Sequence, residues 1–137
     1  MIYLLDTNVI CEATAKFPNP DVLAWSRSSA DECGLSCVTI GEIWKGIHLM
    51  PEGKRKSAIS QWAAGIETDF AERVMPLNTA VLKVWGKLYA KHESKGFNMG
   101  VVDSLLAATA LVYDLIIVTR NTGDFPREVK TLNPWKL

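Results

Sequence analysis

Two short apolar runs in this chain end in the same way. Ile2-Tyr3-Leu4-Leu5 gives way at once to Asp6-Thr7-Asn8, and Leu115-Ile116-Ile117-Val118 to Thr119-Arg120-Asn121. Uninterrupted apolar runs of this length fit strands buried on both faces, as in a parallel sheet covered by helices. Short extended pieces are also expected at 35–38, 73–77 and 129–132. Between them the apolar spacing is helical: Ile59, Trp62, Ala63, Ile66 and Phe70, then Ala80, Val84 and Leu88. Further helices are expected over 9–15, after Asp21, from Thr39 to Met50 and from Gly100 to Val112. Lys95-Gly96 ends the helix opened by Asn78-Thr79. Lys16–Pro20 and Pro51–Lys56 read as turns. This alternation predicts an α/β, three-layer fold, with a mostly parallel central sheet flanked by helices, in one domain over 1–137.

In an open parallel sheet, ligands bind at the carboxyl edge of the strands. The flip from apolar to polar after Leu5 delivers Asp6 to that edge. Asp6 has a second reading as the N-cap of the next helix, and taken alone neither reading wins. Three other acids bear on the choice. Asp124, in the loop after the 115–118 strand, is brought toward the same edge. Glu42 closes a Thr39-x-x-Glu42 capping box, in which the carboxylate bonds back to the helix start. It also lies in the first turn leaving a strand, which faces the cleft. Asp103 sits at the start of an apolar helix, with small Ala107 and Ala110 on its face, so it is expected to be buried and to need a partner. That partner is a Lys or Arg, the helix N-terminus, or a cation shared with the other acids.

Four acids in one cleft repel one another unless their pKa values rise or a divalent cation neutralises them. Oxygen ligands without His or Cys select Mg²⁺ or Mn²⁺ over zinc. Such sites suit phosphodiester cleavage by a metal-activated water. Lys and Arg together number 15, as do Asp and Glu, so no net field draws in nucleic acid and any basic surface is local. Cys11, Cys33 and Cys37, with only two histidines, do not make a zinc site and suit a reducing cytoplasm. The first apolar run stops at Asp6 without a basic lead, so no signal peptide is expected. No apolar run reaches the ~20 residues of a membrane span. No glycine pattern for a dinucleotide or a P-loop occurs.

The ordered set Leu4-Leu5-Asp6-Thr7-Asn8, Val38-Thr39-Ile40-Gly41-Glu42-Ile43, Asp103 to Ala110, Val118-Thr119-Arg120-Asn121 and Leu132-Asn133-Pro134-Trp135 resembles the PIN-domain ribonucleases. Within them it is similar to the VapC/FitB toxins of type II toxin–antitoxin pairs. The resemblance implies a Mg²⁺-dependent endoribonuclease acting on single-stranded RNA, with Mn²⁺ as a substitute. It implies Asp6 and Asp103 as principal metal ligands and Glu42 as the third acid. The fourth lies in the 119–125 loop. Asn121 stands where several relatives carry an acid, which leaves Asp124 as the nearest carboxylate. Asn8, Thr119 and Asn121 would be polar supports, and Arg120 and Lys45 would meet the RNA backbone.

The resemblance also implies a homodimer held inactive by a small antitoxin, in a higher assembly that meets DNA only through the antitoxin. Trp25, Ile43, Trp44, Ile47 and Trp62 are of the type that lines an antitoxin groove. Two other functions compete. One is a catalytically silent RNA- or partner-binding module. The other is an aspartyl-phosphate phosphatase, which wants an acid where Asn8 stands.

Overall fold

The computed structural model describes residues 1–137. Five short strands form one sheet: β1 (Tyr3–Leu5), β2 (Cys33–Ser36), β3 (Val74–Met75), β4 (Ile116–Val118) and β5 (Thr131–Leu132). Their order is β3-β2-β1-β4-β5, and every pairing is parallel. β1 is central, with Leu5 in register with Val118 of β4. The two apolar runs that flip to polar are therefore neighbours, and the residues after them, Asp6 and Thr119, leave the same edge. Asp6 N–H extends the ladder by donating to the Val118 carbonyl at 2.9 Å.

Side chains alternate across the sheet with the period of two that a strand imposes. Leu4 and Ile117 point to one side, into a core with Leu88, Leu106, Ala107, Ala110, Phe125 and Val129. This side is covered by α5 (Thr79–Ser94) and α6 (Val101–Tyr113). Leu5 and Val118 point to the other side, with Val9, Cys33, Leu35 and Phe70. There lie α1 (Thr7–Ile10), α2 (Pro20–Ser28), α3 (Cys37–Leu49) and α4 (Lys54–Asp69). The result is three layers, as the alternation predicted. Gly34 permits a close approach in β2: a Cβ there would stand 2.9 Å from the Arg73 carbonyl oxygen and 2.3 Å from Met1 Sδ.

The strands expected at 35–38, 73–77 and 129–132 lie at 33–36, 74–75 and 131–132, and three further boundaries differ from the sequence expectation. The 9–15 helix is one α turn, Thr7–Ile10, followed by a 3₁₀ turn over Cys11–Thr14. α3 begins at Cys37, two residues before Thr39, because Ser36 ends β2 and caps the helix, accepting from Val38 N–H at 3.1 Å. The basic run at 54–56 opens α4 and is not part of the turn before it. Lys56 pairs with Glu52, and Arg55 donates to the Thr14 carbonyl. No helix is long and apolar enough to cross a membrane.

Candidate metal and active site

Asp6 is both a cap and an edge carboxylate, because its two oxygens do different work. Oδ1 accepts the Thr7 N–H at 2.8 Å, which caps α1. Oδ2 accepts the Thr119 hydroxyl at 2.8 Å and Asn8 Nδ2 at 3.3 Å. Asn8 Nδ2 also reaches Thr119 Oγ1 at 3.4 Å, while its Oδ1 accepts the Arg120 N–H at 3.2 Å. Thr119 is fully buried, and its oxygen also accepts the Asn121 N–H at 3.0 Å. Asn8, Thr119 and Asn121 are thereby tied to Asp6 as one network across the ends of β1 and β4. Asn121 contributes through its backbone.

Glu42 does not close the expected capping box. Ser36 has taken the cap, which places Glu42 in the second turn of α3. Its Oε1 accepts the Thr7 hydroxyl at 2.5 Å. This leaves Thr39 inside the helix, with Oγ1 buried and without a hydrogen-bond partner. Thr7 is the residue that sequence reasoning passed over. Its place between Asp6 and Asn8 was visible, but its long-range partner on α3 was not.

Asp103 lies in the first turn of α6, on a helix whose Ser104 and Leu106 to Ala110 are all buried. The carboxyl is half-buried, and Gly100 packs close to it: a Cβ there would lie 3.5 Å from Oδ2. Of the three possible partners, a Lys or Arg is absent. The ion pairs are Lys56–Glu52, Lys91–Glu128 and His92–Glu128, and none touches Asp103, Asp6, Glu42 or Asp124. Burial first, and then the charges of Asp6, Asp124 and Glu42, raise the Asp103 carboxyl to about 6. The charges of Asp6, Asp124 and Glu42 all reach Asp103, and between Asn121 and Asp124 the residue that brings a charge to it is Asp124.

The donor set is all oxygen and net negative. No three Asp, Glu, His or Cys side chains stand close enough to cage an ion by themselves. By its donor atoms the set suits a hard divalent cation held by one or two carboxylates and water, and does not suit a closed zinc site. Arg120 is exposed, with its guanidinium over the Trp135 ring at 5.1 Å. Lys45 is exposed one turn along α3 from Glu42. Beside Glu42 opens an apolar hollow of about 260 Å³ lined by Thr7, Cys11, Ile43, Ile47, Ile59 and Trp62. Trp62 also walls a second hollow, of about 130 Å³, with Val9, Ile66 and Phe70. Trp44 packs against the Ile43 cluster and donates to Glu67 at 2.9 Å. Trp25 lies elsewhere, edge-on to Tyr3 at 5.1 Å against the core.

Known proteins match this chain in sequence and in fold. The family described as "PIN domain" matches residues 3–129. Plasmid stability protein StbB of Pseudomonas syringae pv. tomato is 36% identical, over 97% of this chain and 98% of its own. Toxin FitB of Neisseria gonorrhoeae is 33% identical over 96% and 97%. VapC ribonuclease Y4jK of Sinorhizobium fredii is 32% identical over 97% of each chain. A crystal structure of FitAcB from Neisseria gonorrhoeae superposes with a TM-score of 0.93 at 33% identity, covering 99% of this chain and 100% of that one. The fold is thus shared along nearly the whole length of these proteins, and the chain belongs to the PIN-domain family.

Proposed function

We propose that this chain is the toxin of a toxin–antitoxin pair and a metal-dependent endoribonuclease that cuts single-stranded RNA. The observation that carries the reading is Asp103: a half-buried carboxylate with no cationic partner, its carboxyl raised by burial and by the charges of three other acids. Unpaired like charges of this kind cost stability unless a cation is bound. The names of Toxin FitB and VapC ribonuclease Y4jK, matched over nearly the full chain, supply the reaction class.

In this reading Asp6 and Asp103 hold the cation, Mg²⁺ with Mn²⁺ as a substitute. The bound ion supplies a more acidic water and neutralises charge at the phosphate. The chain's own groups set the geometry. Thr119 and Asn8 fix Asp6 Oδ2, Thr7 fixes Glu42, and Asp124 adds its charge to that felt by Asp103. Arg120 and Lys45 lie at its rim, where exposed cations meet the RNA backbone. All of residues 1–137 serve as one nuclease unit. The hollows beside Glu42 seat a helix of a small antitoxin. The toxin acts as a homodimer in the cytoplasm, and three free cysteines are in keeping with that compartment.

The test is cleavage by the purified chain, freed of any partner, of a labelled single-stranded RNA with Mg²⁺ or Mn²⁺. Asp6→Asn and Asp103→Asn should each abolish it. Cleavage retained in both variants would overturn the assignment. A chain that takes up no Mn²⁺ and cuts nothing would be the silent binding module.

A further inference from the structure

On the far side of the Asp124 loop lies a hollow of about 320 Å³ lined by Lys91, His92, Lys95, Phe97, Phe125 and Arg127, with Glu128 at its rim. It differs from the acid cleft in charge. Three cations face one carboxylate, and that carboxylate is already engaged: Glu128 Oε2 accepts from Lys91 at 3.2 Å and pairs with His92 Nε2 at 2.9 Å. Lys95 and Arg127 are exposed and in no ion pair. Phe97 is 40% exposed and edge-on to His92, with ring centroids 5.3 Å apart. Its outer side walls another hollow, of about 140 Å³, with Tyr89 and Asn98. Gly96 holds this corner open with φ +76°, a conformation that favours glycine.

Two pieces of chain connect this pocket to the cleft. Phe125 follows Asp124, whose charge reaches Asp103, and its ring anchors in the core beside Met99. The linker from Lys95 to Gly100 ends against the Asp103 carboxyl. Five residues reach at most about 18 Å. The cations therefore stand within a few nucleotides of a phosphate held at the acids. A cationic groove with an exposed aromatic ring is the arrangement that binds single-stranded nucleic acid without sequence readout.

We propose that Lys95, Arg127 and Phe97 form a subsite for a nucleotide flanking the cut: the two cations hold its phosphate and the ring stacks its base. The proposal rests on the ribonuclease reading above and adds the direction in which the strand leaves the cleft. These are positioning residues. They act on RNA binding and leave the chemical step to the acids.

Binding is measured by fluorescence anisotropy of a short labelled oligouridylate, with the Asp103→Asn chain serving to prevent cleavage. Adding Lys95→Ala and Arg127→Ala should lower the slope of log affinity against log salt by about 0.7, the value for one phosphate no longer neutralised. Phe97→Ala should weaken binding about tenfold and Phe97→Trp should restore it. In the chain with Asp103 intact, Lys95→Ala with Arg127→Ala should raise KM about tenfold and leave kcat within about twofold. An unchanged salt slope in a chain that does cut RNA would overturn the subsite alone. A wild-type chain that cuts no RNA would overturn the ribonuclease reading and the subsite with it. A double variant that binds RNA normally but loses the antitoxin would assign the pocket to a protein partner and overturn the proposal.

Discussion

Replacing Asp103 with asparagine should stabilise the metal-free protein at neutral pH while removing its response to metal. The carboxyl is raised from 3.8 to about 6. Taken in full, a shift of that size corresponds to about 3 kcal/mol of repulsion and lost solvation. Asp103 is only half-buried, so solvent screening reduces this to about 1 kcal/mol. A folded-state pKa above the unfolded one means that the folded state binds more protons between the two values. The wild-type chain therefore loses this stability as pH rises from about 4 to about 6, and above that the penalty is constant. Asp103→Asn should match the wild type near pH 4 and exceed it by about 1 kcal/mol at pH 7.5, or about 3–5 °C in Tm. The assay is thermal unfolding of chelator-treated protein across that range, repeated with Mn²⁺. Added metal should raise the wild-type Tm, since a ligand of the folded state stabilises it by mass action, and should move the variant little. A variant no more stable than wild type at pH 7.5, or equally stabilised by Mn²⁺, would refute the electrostatic argument.

Thr119→Val should cost about 1–2 kcal/mol, because it leaves buried Asp6 Oδ2 short of a donor. It should also weaken Mn²⁺ binding at least tenfold by calorimetric titration, as loss of a group orienting a metal ligand does. Thr39→Val, at the buried hydroxyl without a partner, should raise stability by about 1 kcal/mol in urea unfolding. Gly34→Ala should destabilise by more than about 1 kcal/mol, since the new methyl meets the Arg73 carbonyl at 2.9 Å; an unchanged urea midpoint would contradict the close packing.

The fold was legible where burial dictates pattern. Leu4-Leu5 and Ile117-Val118 each fill a core on both faces of the sheet, so their uninterrupted apolar character announced the two central strands. Asp6 was legible as an edge carboxylate; its cap role is carried by Oδ1 alone, which leaves Oδ2 to the Thr119 and Asn8 network at the strand ends. Asp103 was marked by the small residues Ala107 and Ala110 on its face, both buried here. The start of α3 was not legible. Cys37-Val38 has the look of a strand, but the β2 ladder stops at Ser36, whose hydroxyl caps the helix. The Thr7–Glu42 contact spans 35 residues and depends on how α3 leaves the sheet, which no local spacing encodes. The basic hollow escaped notice for the same reason, since Lys95 and Arg127 meet only through the tertiary fold.

The strand that carries Asp6 gains its second neighbour only when a far later stretch of chain has been made. On one side β1 waits for β2, and on the other for β4, and the bond from Thr119 to Asp6 closes a sequence separation of 113 residues. A nascent chain on the ribosome therefore has its first acid long before it has a cleft. Asp6 gains its Thr119 support only after β4 has emerged and paired, and until then the ends of the two central strands are not one edge.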